Sequence, residues 1–280
     1  MHFENPVVPY EPSSTLPTVE SGGYRYVNFH CYWQGELNEK HVFSIKSVLA
    51  TQRRALVKVR LWLGPGSVFS DGAWAEFERL RRHYGGKIDV NTFDLARECA
   101  STPFERPFES KELPYIADQI RLVLMYKYGG LWFDLDCMFL KDVSRLLWRD
   151  FVYAWERQPY ANNAILNIQE PGNEAIRAVI ETSKELGTCN PTQLFSYASK
   201  TMRHMSVYPC YLFDPIWEGF TRNPIITSWD QLFSAPCRVD IPFFFPNSYV
   251  FHWHNRWKAE IRPGSYFDVY NRKFNEILGI

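Results

Sequence analysis

"YKYGGLWFDLD" occupies Tyr126 to Asp136, near the middle of a 280-residue chain. An apolar run ends in two glycines, and two aspartates one residue apart follow. Upstream, YIADQIRLVLMYKY (115–128) places Ile116, Ile120, Val123 and Leu124 along one helical face. Asp118 and Arg121 are three apart and share another face. Gly129 and Gly130 can supply the left-handed cap that stops such a helix. LWFDLD then reads as a short strand, with Leu131, Phe133 and Leu135 on one side and Trp132, Asp134 and Asp136 on the other. The two carboxylates would share a face, roughly 7 Å apart. Hard oxygen ligands suit Mn²⁺ or Mg²⁺ better than zinc, and such an ion can neutralise a departing diphosphate. A bare Asp-x-Asp is also common at solvated strand ends, with Asp118–Arg121 a surface ion pair, so the surroundings must decide.

Working outward, YRYVNFHCYW (24–33) reads as a strand, residues 38–52 as a helix, and ALVKVRLWLG (55–64) as an alternating strand closed by Gly64-Pro65-Gly66. Residues 72–84 read as a helix ending at Gly85-Gly86, and KIDVNTFDL as another strand and loop. Strand–helix alternation predicts an α/β layer, Rossmann-like, with a mostly parallel sheet flanked by helices. Residues 1–22, rich in Pro, Ser and Glu, read as an N-terminal arm, and 23–280 as one domain. The Pro- and aromatic-rich C-terminal third is expected to fold back over the ligand edge of the sheet.

There are 31 basic and 31 acidic residues, which offers no field for nucleic acid or an anionic membrane. No stretch approaches the ~20 apolar residues of a membrane span, and the start has no signal-peptide pattern. Six scattered cysteines form no CxxC pair, which predicts a reduced, cytoplasmic setting. Neither GxGxxG nor GxxxxGK[ST] occurs, so dinucleotide and P-loop chemistry lack support.

The stretch ADQIRLVLMYKYGGLWFDLDCMFLKDV (117–143) resembles the sugar-binding DXD region of a glycosyltransferase family. That family includes the yeast initiating mannosyltransferase and the α1,4-galactosyltransferases. The shared pattern is small-Asp-x-x-Arg, a helix ending in Tyr-x-x-Gly-Gly, then aromatic-Asp-x-Asp. The resemblance implies a GT-A fold, a nucleotide-sugar donor and a divalent metal. It implies that Asp134 meets the ribose or a metal-bound water, that Asp136 chelates the ion, that Asp118 bonds sugar hydroxyls, and that Arg121 meets the sugar or diphosphate.

Three further stretches extend the likeness. NFHCYWQG (28–35) resembles the family's first strand, and implies that Trp33 lies over the base of a UDP-sugar. YANNAILNIQEPGNEAI (160–176) resembles the strand that presents an Asn to the donor sugar, here Asn163. SYVFHWHNRWK (248–258) resembles the late histidine segment that completes the metal shell, with His252 the choice, His254 or Asn255 the alternatives. The metal set implied is Asp134, Asp136 and His252. Length and motif set resemble small glycosyltransferases encoded by large chlorella viruses, xylosyltransferases among them, which would mean UDP-xylose as donor and a fucose-bearing oligosaccharide or glycoprotein as acceptor.

Inverting transfer would need a carboxylate opposite the diphosphate, for which Glu156 and Asp214 are the candidates; retaining transfer would not. The xylosyl resemblance favours inversion, with a retaining galactosyl- or glucosyltransferase as the alternative. A glycoside hydrolase, whose paired carboxylates stand ~5–9.5 Å apart, and a non-catalytic nucleotide-sugar-binding module are the readings of other classes.

Overall fold

A computed structural model describes residues 20–21, 24–52, 57–108, 113–155, 161–191, 194, 205–219 and 226–280. Thirteen strands are present among them. β1 (Glu20–Ser21) pairs with β2 (Tyr24–Arg25), and the rest of the expected arm lies outside the described residues. The main sheet is built from β3 (Val27–Trp33), β5 (Val57–Leu63), β7 (Ile88–Thr92), β8 (Gly130–Phe133), β10 (Phe151–Ala154), β11 (Ala161–Ile168) and β12 (Ser206–Tyr208). Its order is β12-β10-β11-β8-β3-β5-β7, parallel throughout except where β11 runs against β10 and β8. Outside it, β4 (Glu36–Leu37) pairs with β6 (Val68–Phe69), and β9 (Cys137–Phe139) with β13 (Val250–His252).

The sequence pattern explains the layers. In β5, Val57, Val59 and Leu61 enter one core with Leu131 and Phe133, while Trp62 and Trp132 face the other core. Helix α1 (Glu39–Thr51) covers the first layer and α2 (Asp71–Tyr84) packs beside it. Asn38 opens α1 with a capping box: its side chain accepts from the Lys40 N–H, and its own N–H donates to His41 Nδ1 at 2.9 Å. After the short α3 (Leu95–Cys99), α4 (Leu113–Tyr128) covers the second layer with α5 (Glu174–Leu186). Ile120, Val123 and Leu124 are buried there, as their spacing predicts.

The glycine pair sets the turn into the site. Gly129 has φ 58° and its N–H donates to Met125 O at 3.0 Å, capping α4. Gly130 has φ 90°, and any Cβ would lie 2.4 Å from Asn28 O. Only glycine lets β8 enter the sheet this close to β3.

Two expectations are corrected. β8 ends at Phe133, and Asp134-Leu135-Asp136 is a turn, with the Cys137 N–H donating to Asp134 O at 3.1 Å. Strand periodicity therefore does not place the two carboxylates. β13 likewise stops at His252, because His254 (φ 49°) and Asn255 (φ 59°) are left-handed. The C-terminal third does fold back: β13 pairs with β9, and a third core joins Phe43 of α1 and Met138 to Phe251, Trp253 and the terminal helix Tyr266–Leu278.

Candidate active site

The turn after β8 is the junction of two polar assemblies. The first is centred on Arg121, whose side chain is only 6% exposed. One amino group donates to Asp118 at 3.3 Å and to Asn163 Oδ1, and the other donates to Asp134 at 2.6 Å. Trp132 donates its indole N–H to the same Asp134 oxygen at 2.7 Å, and its ring lies under the guanidinium at 5.1 Å. Asp118, Arg121, Asp134 and Asn163, from α4, the turn and β11, thus form one cluster. The Asp118–Arg121 pair is not the solvated surface bridge that a bare motif allows. Burial would lower the Arg121 pKa, but Asp134 and Asp118 outweigh it and hold the charge in place. Burial pushes the Asp118 carboxyl up to about 6, against the pull of Arg121. Arg121 Nε and Asn163 Nδ2 are buried without a hydrogen-bond partner among the described residues. Buried donors of this kind are rare in a finished site and call for a further acceptor.

The second assembly is centred on Asp136, which is 2% exposed. The β9–β13 ladder sets Cys137 opposite His252. His252 Nε2 then lies 3.2 Å from Asp136 Oδ2, and the left-handed turn aims the Asn255 N–H at the same oxygen, 2.7 Å away. Outside glycine this conformation is uncommon, and Asn and His are among the residue types that adopt it most often. The Asn255 side chain is used elsewhere, accepting from the Trp257 indole at 3.1 Å. On the far side of its ring, His252 Nδ1 meets the buried hydroxyl of Tyr153 at 3.2 Å. Burial opposes charge on both members of the pair. Their mutual attraction wins, lifting His252 to about 9 and, with the Asn255 N–H, holding Asp136 down at about 2.

Metal ligands bind deprotonated, so a divalent cation seated between Asp136 and His252 would displace any proton the pair holds. Asp136, Cys137 and His252 offer ligand atoms within 4.8 Å of one another, and so do Asp214, His252 and His254. Burial, with Asp136 and Asp134 beside it, holds the Cys137 thiol well above its ordinary pKa. The carboxylate and imidazole of Asp136 and His252 are a donor set that can hold a divalent cation. Asp134 stands outside both groups, with one oxygen taken by Arg121 and Trp132.

His254 stacks on His252 with centroids 3.9 Å apart and bonds Asp214 Oδ2 at 2.5 Å. Asp214 is buried, and Glu156 lies outside the described residues. Trp33 sits across the Asn255 turn. Its ring meets His41 edge-on at 4.1 Å and Trp257 at 4.8 Å, and its indole N–H donates to Glu36 O. Tyr126 and Tyr128 turn away from the carboxylates, Tyr126 to Arg177 and Tyr128 to His30 and Trp62.

Sequence reasoning missed Tyr153 and Lys40. Lys40 donates to the carbonyls of Arg256 (2.7 Å), Trp257 (2.9 Å) and Ala259 (2.5 Å), fixing the segment that follows Asn255. No local pattern marks either residue, because each acts on a segment about a hundred or more positions away. Beside that segment opens a cleft of about 610 Å³ lined by Asp230, Asn255, Arg256, Trp257, Lys258 and Arg262 among others.

Residues 66–153 match the family described as "Glycosyltransferase sugar-binding region containing DXD motif". A search of curated proteins by sequence finds no match. Among solved structures, the apo-form glycosyltransferase GlyE of Streptococcus pneumoniae TIGR4 is similar at 11% identity and TM-score 0.50, covering 91% of this chain and 62% of that one. A galactosyltransferase LgtC in complex with donor and acceptor sugar analogs is similar at 12% identity and TM-score 0.44, covering 90% and 95%. This chain spans about three fifths of the length of the first solved chains it resembles, with coverage of 65%, 63% and 62%. The fold is that of the GT-A glycosyltransferases, and residues 66–153 are similar to the DXD-containing region of the matching family.

Proposed function

We propose that this protein is a metal-dependent glycosyltransferase that moves a sugar from a UDP-sugar, in the first instance UDP-xylose, to a hydroxyl of an oligosaccharide, fucose the first candidate. The observation that carries the reading is the pair of assemblies meeting at one turn: a guanidinium bracketed by Asp118, Asn163 and Asp134, and a carboxylate–imidazole pair at Asp136 and His252. The first suits the hydroxyls of a donor sugar, and the second suits a cation.

Asp136 and His252 would hold the ion, and Tyr153 fixes the His252 ring through Nδ1. When bound, Mn²⁺ or Mg²⁺ neutralises charge on the leaving diphosphate. Arg256, Lys258 and Arg262 line the adjoining cleft and supply further positive charge toward it. Trp33 is the candidate partner of the base. In transfer, the acceptor oxygen bonds to the anomeric carbon, the bond from that carbon to the diphosphate breaks, and UDP leaves. The hydroxyl proton goes to a base if configuration inverts. Asp214, buried beside the metal pair and bonded to His254, is the described candidate. Trp132, the one bulky side chain of the three near the motif that touches Asp134, is the candidate for closing the space beyond C5 that a hexose would need.

Screening UDP-xylose, UDP-glucose, UDP-galactose and other nucleotide sugars with Mn²⁺, by thermal stabilisation and by UDP release, tests this. Stabilisation and metal-dependent release, fastest from UDP-xylose, are expected. No response to any nucleotide sugar overturns the function, and faster release from UDP-glucose or UDP-galactose overturns the donor. Binding without release under all acceptors would instead make the protein a nucleotide-sugar-binding module. NMR of the product's anomeric proton decides inversion.

A further inference from the structure

Three tryptophans and a carboxylate stand on the other flank of the metal pair, and the donor reading uses none of the rings. Trp155 follows β10, Trp217 lies in the short helix Pro215–Gly219, and Trp229 precedes the segment Gln231–Ser234. Trp155 and Trp217 meet edge-to-face, centroids 5.3 Å apart at 84°, and so form a corner. Trp217 stacks on Trp229 at 5.0 Å. His254 ties the group to the site: its ring lies 4.9 Å from Trp217, 4.2 Å from Trp229 and 3.9 Å from His252. All three indoles are partly exposed, whereas Asp214 is buried. Asp214 gives Oδ2 to His254, and its Oδ1 is buried with no hydrogen-bond partner among the described residues.

We propose that Trp155, Trp217 and Asp214 form the subsite for the acceptor, and that what binds there is a neutral sugar ring with one apolar face. The inference rests on the transfer reading above and names the place and chemistry of its second substrate. A pyranose has flat C–H faces and a rim of hydroxyls. Indole rings offer large, rigid apolar area for the face. A carboxylate is an acceptor-only group, so the open oxygen of Asp214 takes a hydroxyl proton donor. The cluster reaches Asp136 through His254 and His252, whereas Trp33 and His41 reach it through Trp257 and Asn255. Base and acceptor thus have separate aromatic platforms on one cation site. A buried carboxylate in the subsite also disfavours uronic acids, by like charge.

Saturation-transfer NMR tests this on the full chain with UDP and diamagnetic Mg²⁺. The probes are the methyl glycosides of fucose, xylose, galactose and glucuronic acid. At least one neutral glycoside should receive saturation from the protein, and the glucuronide should not. Trp217→Ala and Trp155→Ala should each lower that transfer, and raise the acceptor KM, by tenfold or more, with UDP affinity within twofold of wild type. Trp217→Phe keeps a ring and should recover most of the signal, which separates loss of stacking from loss of fold. Wild type that binds UDP but none of the neutral glycosides overturns the subsite. So do Trp variants that bind the glycosides normally, or that lose UDP and glycoside together while folded. Glycoside binding that depends on Trp217 in a protein without UDP affinity would keep the subsite and sink the transfer reading.

Discussion

Arg121→Met tests whether the first assembly is held by charge. The substitution keeps an unbranched apolar stem in a side chain only 6% exposed, but takes from Asp118 and Asp134 the guanidinium that both pair with. Breaking a buried pair by removing one partner costs about 3–5 kcal/mol, and here one cation serves two carboxylates, so the upper half of that range is expected at pH 8. Asp118 supplies an internal check. Burial already raises it to about 6 with Arg121 present, and losing Arg121 can only raise it further. A carboxyl whose folded pKa lies above its unfolded value, about 3.9, gives stability that is fully present below the unfolded value and lost as pH rises through the folded one. The loss caused by Arg121→Met should therefore shrink by about 1–2 kcal/mol between pH 8 and pH 5.5, as Asp118 takes up a proton. Adding Asp118→Asn should recover part of the stability at pH 8 and flatten the dependence. The assay is equilibrium urea unfolding followed by tryptophan fluorescence at the two pH values. A loss under about 1 kcal/mol at pH 8, or one that does not change with pH, would refute the reasoning.

Three further outcomes are expected. Asp136→Asn keeps the shape and an acceptor for the Asn255 N–H but removes the charge, so stabilisation by Mn²⁺ and UDP release should both disappear while circular dichroism is unchanged; activity that survives in chelator would count against the cation site. Trp33→Ala should weaken UDP and the intact UDP-sugar equally, by about 1–3 kcal/mol, in calorimetric titration, because the base is common to both. Lys40→Met strips the donor from three carbonyls, and should cost about 2–4 kcal/mol in unfolding and weaken Mn²⁺–UDP binding, since the loosened segment carries Asn255 and the cleft.

The helix, the glycine stop and the apolar alternation up to Phe133 were legible because each is a local rule: 3.6-residue spacing, a φ only glycine accepts, and period two. Strand geometry failed one residue later. Asp134 still bonds the sheet through its N–H to Ala164 O at 2.8 Å, but the chain then turns to pair as β9 with a strand more than a hundred residues away. Nothing near Asp136 announces that partner, so a strand-period rule could not place the second carboxylate. The resemblance points to Asp136 by pattern, and in the structure the β9–β13 ladder sets His252 beside it.

The same limit explains why His254 and Asn255 stayed undecided from sequence. On a continuing strand His254 would share the face of His252, and Asn255 would point away. The left-handed turn changes both roles at once. It returns the His254 ring onto His252, where it takes Asp214 rather than Asp136, and gives Asp136 the backbone of Asn255 rather than its side chain. Two non-glycine residues are kept in this conformation by Asp136 on one side and by the Lys40-bound carbonyls on the other. A backbone donor cannot be read from residue type, and its use here means that substituting the Asn255 side chain should disturb the Trp257 contact more than the Asp136–His252 pair.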